Sequence, residues 1–143
     1  ADKYSSGIRL VSVPTRSIPD DVIPASVKHR SRIHWHLADL QAKQIDREAT
    51  AILTDHDGYL TETATSNLCL VEGSTIVTPA IHVLNGISCG YVEELAASVA
   101  MVAARQERIT TDDLVKSDEA LLTSTPMCLL PVSHFNGRPI GEA

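Results

Sequence analysis

Apolar positions along the chain fall into short blocks whose spacing changes from strand-like to helix-like and back. Ile8 to Val13 reads as an extended segment and Asp21 to Val27 as a second, with Pro14, Pro19 and Pro24 excluding helix around them. From Ser31 to Arg47, Ile33, Leu37, Leu40 and then Gln44 or Ile45 recur near i, i+4, i+7 and i+11. That spacing predicts a helix with one apolar stripe and charged residues opposite.

Strand patterns then return. Ala51 to Thr54 and Tyr59 to Thr63 flank an Asp57-Gly58 turn, and Leu68 to Val71 and Thr75 to Val77 flank Glu72-Gly73-Ser74, which predicts two hairpins. Cys89 to Arg105 is rich in Glu, Leu and Ala and sets Val92, Leu95, Val99 and Val102 on one face, so a helix is expected over that whole span. The tail reads as a short strand at Arg108-Ile109, a capped turn from Thr110 to Val115, and strands from Glu119 to Ser124 and Met127 to Val132. An Asn136-Gly137 turn closes it. Strands interleaved with two helices predict an α/β domain built on a mixed sheet rather than a doubly wound one. The dinucleotide fingerprint GxGxxG is absent from the sequence.

Composition narrows the partners. At 143 residues with 43% hydrophobic content, one compact domain is the expectation. A net charge of -6, no basic run and few aromatics argue against a nucleic-acid partner. No apolar stretch approaches the roughly 20 residues of a membrane helix and no signal-peptide pattern opens the chain, so a cytoplasmic protein with no membrane partner is expected. Cys69, Cys89 and Cys128 show no CxxC pairing and read as buried or half-buried free thiols. His34 and His36 point about 200° apart on a helix and cannot readily share a metal. Asp55-His56-Asp57-Gly58 lacks the later acidic ligand of a calcium loop and reads as a turn. The chain starts at Ala1 without an initiator Met, as a processed chain or a piece of a longer one would.

The chemistry emerges from the order of motifs. Ser26-Val27-Lys28 precedes the first predicted helix, and Gly58, Glu62 and Asn67 then form a G-x-x-x-E-x-x-x-x-N block. Thr78-Pro79, Leu84-Asn85-Gly86-Ile87-Ser88, Ser117-Asp118-Glu119, Thr123-Ser124-Thr125 and Pro131-Val132 follow. This series resembles the class IV, fold-type IV pyridoxal-phosphate enzymes, the group of branched-chain and D-amino-acid aminotransferases and aminodeoxychorismate lyases, over nearly the whole chain. The resemblance implies a mixed β-sheet forming a partial barrel with flanking helices, the large domain of that fold. It also implies pyridoxal 5'-phosphate as cofactor, with Lys28 catalytic and bound to the aldehyde. Glu62 would face the pyridine nitrogen, Asn67 would also bind the cofactor, and Gly86, Ile87, Ser88, Ser124 and Thr125 would hold the phosphate.

Those residue types suit those tasks. A lysine attacks a carbonyl only as the free amine, which burial or neighbouring cations favour. His29, Arg30 and Arg32 supply the cations, and Val27 and Ile33 are placed to bury the Lys28 stem. An acid at Glu62 would keep a ring nitrogen protonated. Backbone N–H groups at a helix N-terminus suit a phosphate, and Gly86-Ile87-Ser88 stands just before a predicted helix.

The chain also departs from the family pattern. Branched-chain enzymes usually have a tyrosine where this chain has Ile33, and the Lys28-x-x-Ser31-Arg32-Ile33 run looks nearer to the aminodeoxychorismate lyase branch. The family's smaller N-terminal domain, which adds an arginine to the phosphate site, has no counterpart in residues 1–143, so this chain alone is expected to be inactive. The leading expectation is amino transfer between an amino acid, branched-chain or D, and a 2-oxo acid, in a full-length homodimer. A lyase-type elimination and a non-catalytic scaffold are the alternatives.

Overall fold

The computed structural model describes residues 2–141. In chain order its elements are α1 (Lys3–Ser6), β1 (Ile8–Ser12), α2 (Ile33–Ile45), β2 (Ala49–Thr54), β3 (Leu60–Thr63), β4 (Asn67–Glu72), β5 (Thr75–Pro79) and α3 (Ile87–Ala96). There follow β6 (Val102–Gln106), α4 (Thr111–Lys116), β7 (Glu119–Ser124), β8 (Cys128–Phe135) and β9 (Arg138–Pro139). The sheet runs β3-β2-β1-β8-β7-β4-β5-β6, and β3 also pairs with β4. The sheet expected as a partial barrel is therefore closed, with six strands around it and β5, β6 and β9 as extensions. It is mixed: β1 runs parallel to β2 and β8, and β5 to β6, while the remaining pairs are antiparallel.

Alternation along the strands sorts side chains to two sides. Ile8 and Leu10 of β1, Ile52 of β2, Leu68 and Leu70 of β4, Leu122 of β7 and Leu130 of β8 belong to one buried cluster. Val11, Ala49, Ala51 and Leu53, at the alternate positions, belong to another with α2. Each fully buried leucine or isoleucine contributes about 2 kcal/mol of transfer free energy.

Both expected hairpins form, and α4 carries the expected cap as a reciprocal box in which the Thr110 hydroxyl accepts from the Asp113 N–H and the Asp113 carboxylate accepts from the Thr110 N–H. Asn136 and Gly137 both take positive φ in the turn to β9.

Helix α2 lies where expected but presents the other face. Trp35, Ala38 and Ala42 are buried, whereas Ile33, Leu37 and Leu40 are 64%, 48% and 46% exposed. The helix rests on strands paved with Ala49 and Ala51, and small residues allow the close approach that a leucine stripe would prevent. Helix α3 ends at Ala96, short of the expected Arg105. A 3-10 turn follows, Ala100 adopts a left-handed backbone, and Val102–Gln106 leaves as a strand beside β5. Five ladder positions with β5 outweigh alanine's helix preference, and Leu95, Val99 and Val102 stay exposed.

Asp21 to Val27 is a series of turns instead of an extended segment. Pro19 O accepts from the N–H groups of Val22 and Ile23, and Pro24 O from that of Val27. Proline excludes helix but serves a turn as readily as a strand. Arg108-Ile109 forms no strand; the Ile109 carbonyl takes one hydrogen bond from Leu60 N at 2.7 Å. Cys69 and Cys89 are buried free thiols, whereas Cys128 is exposed.

The small-residue face makes a direct prediction. Ala42→Leu should destabilise the fold by about 1–3 kcal/mol through overpacking, while Leu37→Gln should change stability by less than about 0.5 kcal/mol. Urea denaturation of both variants checks this; the opposite order would show that the leucine stripe faces the core.

Candidate functional site

The segment from Val13 to Arg32 joins β1 to α2 and walls a cavity of about 290 Å³ with the β3–β4 turn and the loop after β5. It is pinned at both ends. Ser17 N donates to Thr54 O at 2.9 Å and the Arg16 guanidinium to the Thr54 hydroxyl, while Arg32 donates to Ala64 O. Between these ends Asp20 pairs with His82 Nδ1 at 3.1 Å, tying the segment to the loop that follows β5.

Lys28, Glu62 and Asn67 all line this cavity. Lys28 is exposed, and Val27 and Ile33, expected to bury its stem, are themselves 53% and 64% exposed. Of the expected cationic neighbours, His29 and Arg32 line the same cavity and Arg30 does not.

Glu62 is the most perturbed carboxylate of the site. Burial pushes its pKa up to about 7, against the opposing pull of the Leu84 N–H and the Arg32 charge. Its Oε2 accepts from Asn67 Nδ2 at 3.1 Å and from Leu84 N at 3.2 Å. Asn67 Nδ2 also donates to Leu84 O at 2.8 Å.

Gly86 lies beside this cluster in a smaller hollow that shares Asn67 and Leu84 with the main cavity. A Cβ on Gly86 would collide with Asn67 Oδ1, so the site requires glycine there. Gly86 is the N-cap of α3 and makes no side-chain cap bond; Ile87 is 72% exposed and Ser88 half-buried. Ser124 is buried at the end of β7 and Thr125 exposed in the turn to β8, and neither lines the cavity, although Pro126 of that turn does. Thr123 is buried opposite Asn67 in the β4–β7 ladder, and its hydroxyl has no partner among the described residues.

Several contributors have roles that the sequence did not assign, although Leu84 lies in the Leu84-to-Ser88 motif and His34 enters the sequence reading only as a metal ligand. The Leu84 peptide acts through its backbone. His34 lies against His29 and Trp35, with ring centroids 6.3 and 4.9 Å away, and burial, His29 and Arg32 lower its pKa. His82 adopts a left-handed backbone at φ 58°, which its sequence context does not announce.

The family profile described as amino-transferase class IV matches residues 1–135. A putative branched-chain-amino-acid aminotransferase of Methanocaldococcus jannaschii is 31% identical over 138 residues, covering 95% of this chain and 47% of its own. The D-alanine aminotransferase of Bacillus licheniformis is 30% identical over 110 residues, covering 74% of this chain and 38% of its own. Among solved structures, a T.th. branched-chain amino acid aminotransferase with pyridoxamine 5'-phosphate superimposes with a TM-score of 0.92 at 28% identity, over 99% of this chain and 47% of that one. The chain thus spans about half the length of the curated relatives it matches.

The raised pKa of Glu62 has a stability consequence. Between its ordinary value of 4.5 and about 7 the folded chain holds a proton that the unfolded chain has released. Stability should therefore fall as pH rises through that window, by about 3 kcal/mol in all. Glu62→Gln should remove the slope, stabilising the ligand-free chain at pH 8 and leaving it unchanged near pH 4. Denaturation midpoints across pH measure this, and an identical slope in the variant would mean that the Glu62 carboxylate is well solvated.

Proposed function

This chain belongs to the amino-transferase class IV family, and on that premise we propose that the protein carrying it transfers an amino group between an amino acid and a 2-oxo acid with pyridoxal 5'-phosphate. The observation that carries the reading is the placement of Lys28 and the half-buried Glu62 on one cavity, with Asn67 linking that cavity to the start of α3.

The residues present fit the cofactor. Glu62 Oε1 accepts no hydrogen bond among the described residues, which leaves an acceptor on a half-buried carboxylate for a protonated ring nitrogen. The uncapped start of α3 leaves N–H donors of the Gly86-Ile87-Ser88 turn for a phosphate. When bound, the cofactor supplies an aldehyde carbon that takes up amines and a ring that withdraws electrons from them. Lys28 Nζ would be the amine that holds the aldehyde and, when free, the base that would move a proton at the substrate carbon. Glu62, ionised when paired, would stabilise the proton carried by the ring nitrogen.

Ile18, Ile23, Val27 and Trp35 line the cavity and suit an aliphatic side chain, which favours a branched-chain substrate over other amino acids. Arg32 on the cavity wall, within the Lys28-x-x-Ser31-Arg32-Ile33 run, supports the lyase-type elimination as the second reading. No described helix is long and apolar enough to cross a membrane, and we place the protein in the cytoplasm. The exposed apolar stripes of α2 and α3 are suited to contacts within a full-length homodimer.

The full-length protein loaded with pyridoxal phosphate is expected to absorb in the visible and to convert a branched-chain amino acid and 2-oxoglutarate. Lys28→Ala should lose the band and lower turnover by about 10²–10⁴-fold. A variant that keeps both would remove Lys28 from its role, and pyruvate release without amino transfer would favour the lyase reading.

A further inference from the structure

We propose that Asn67 is a positioning residue for this site, holding the Glu62 carboxylate and the turn at the start of α3 in fixed relation and leaving Glu62 Oε1 as the free acceptor. The proposal rests on the cofactor reading above and names a residue that acts through its neighbours.

Both amide hydrogens of Asn67 are used. One goes to Glu62 Oε2 at 3.1 Å and the other to Leu84 O at 2.8 Å, while Leu84 N–H returns to the same Oε2 at 3.2 Å. Carboxylate, peptide and amide thus form a closed ring. The opposite orientation of the amide would set Asn67 Oδ1 against two acceptors, so chemistry fixes the assignment. Leu84 leads through Asn85 into Gly86, and the peptide held by the ring feeds straight into the turn. Asn67 Oδ1 then occupies the space that a Gly86 side chain would fill.

Burial makes the arrangement stiff. Asn67 is 9% exposed, so water does not readily replace a lost partner. Its backbone pairs with Glu62 in the β3–β4 ladder and with Thr123 in the β4–β7 ladder, which anchors the side chain at its base. With Oε2 saturated by two donors, the charge of Glu62 is available to the cavity through Oε1. Arg32, Lys28, His29, His34 and His82 are the other titratable groups on that cavity. None of them is hydrogen-bonded to Glu62 among the described residues.

The test compares Asn67→Ala and the near-isosteric, uncharged Asn67→Leu with Glu62→Gln and the double variants in the full-length protein. The pyridoxal phosphate dissociation constant should rise about 10- to 100-fold in each Asn67 variant. Adding Glu62→Gln should cost less than the product of the single effects, because Asn67 acts through that carboxylate. Separately, carbon-13 NMR of the Glu62 carboxyl in ligand-free protein should show its titration midpoint moving upward in Asn67→Ala, as a donor to the charged form is lost. Independent affinity effects or an unmoved midpoint would overturn the proposal and leave Asn67 as a residue of barrel closure alone. If Asn67→Ala does not fold, Asn67→Leu keeps the approximate shape, removes both donors without adding a charge and answers both questions. A full-length protein that binds no pyridoxal phosphate would overturn the aminotransferase reading instead, and the Glu62 midpoint would still decide whether Asn67 controls that carboxylate.

Discussion

The rung between Glu62 and Asn67 holds the rest in place. It is the register pair that joins β3 to β4, and with it six strands close into a barrel. The same two residues meet again through their side chains, at 3.1 Å, on the cavity side. Closing the barrel and building the site are therefore one event: a strand edge is satisfied by the residues whose side chains place a carboxylate in a partly desolvated cavity. The desolvation that raises the Glu62 pKa is a cost to the ligand-free fold, which a cationic ligand facing Oε1 would offset.

From that rung the geometry spreads along two directions. Through Leu84 it reaches Gly86 and the N-terminus of α3, and this helix is braced in turn. Glu93 accepts from the Thr78 hydroxyl at 3.0 Å and from Arg105 at 2.9 Å, and Arg105 donates to Asn85 Oδ1 at 3.1 Å. Strands β5 and β6 thereby hold both the helix and the residue just before Gly86. In the other direction the Val13 to Arg32 segment brings Lys28 to the cavity, pinned to β2, to the turn between β3 and β4, and through Asp20 to His82. Lys28 thus sits on turns secured by side chains, whereas Glu62 belongs to the sheet. For the proposed roles, an amine that would approach and leave a carbon suits the less rigid element, and a carboxylate that would pair with a fixed ring nitrogen suits the more rigid one.

The two longer helices follow a common pattern. Beside Trp35, α2 rests on the sheet through Ala38 and Ala42, and α3 buries Cys89 and Ala96; both turn larger aliphatic side chains such as Leu37, Leu40 and Leu95 outward, whereas the short α4 buries Leu114. Close helix-to-sheet contact comes with apolar surface left uncovered. A chain of about half its relatives' length that exposes such stripes is consistent with the further contacts proposed for the full-length protein.

The sequence by itself determined the elements whose information is local. Turn residues marked the hairpins around Asp57-Gly58 and Glu72-Gly73-Ser74, the Thr110 box marked α4, and the order of motifs from Lys28 to Val132 marked the family. Tertiary structure decided what depends on a partner. The apolar period of α2 was visible, but which face is buried was set by the alanines of β2, which the helix meets only in the folded chain. Val102 to Gln106 is as good a helix locally as the turns before it, and only β5 alongside makes it a strand. The Leu84 peptide, the His82–Asp20 pair and the contact of Asn67 with Gly86 have no side-chain pattern to reveal them, because a backbone group or a glycine carries no periodicity. Periodicity reports that a residue wants a neighbour, and only the folded chain supplies which neighbour it gets.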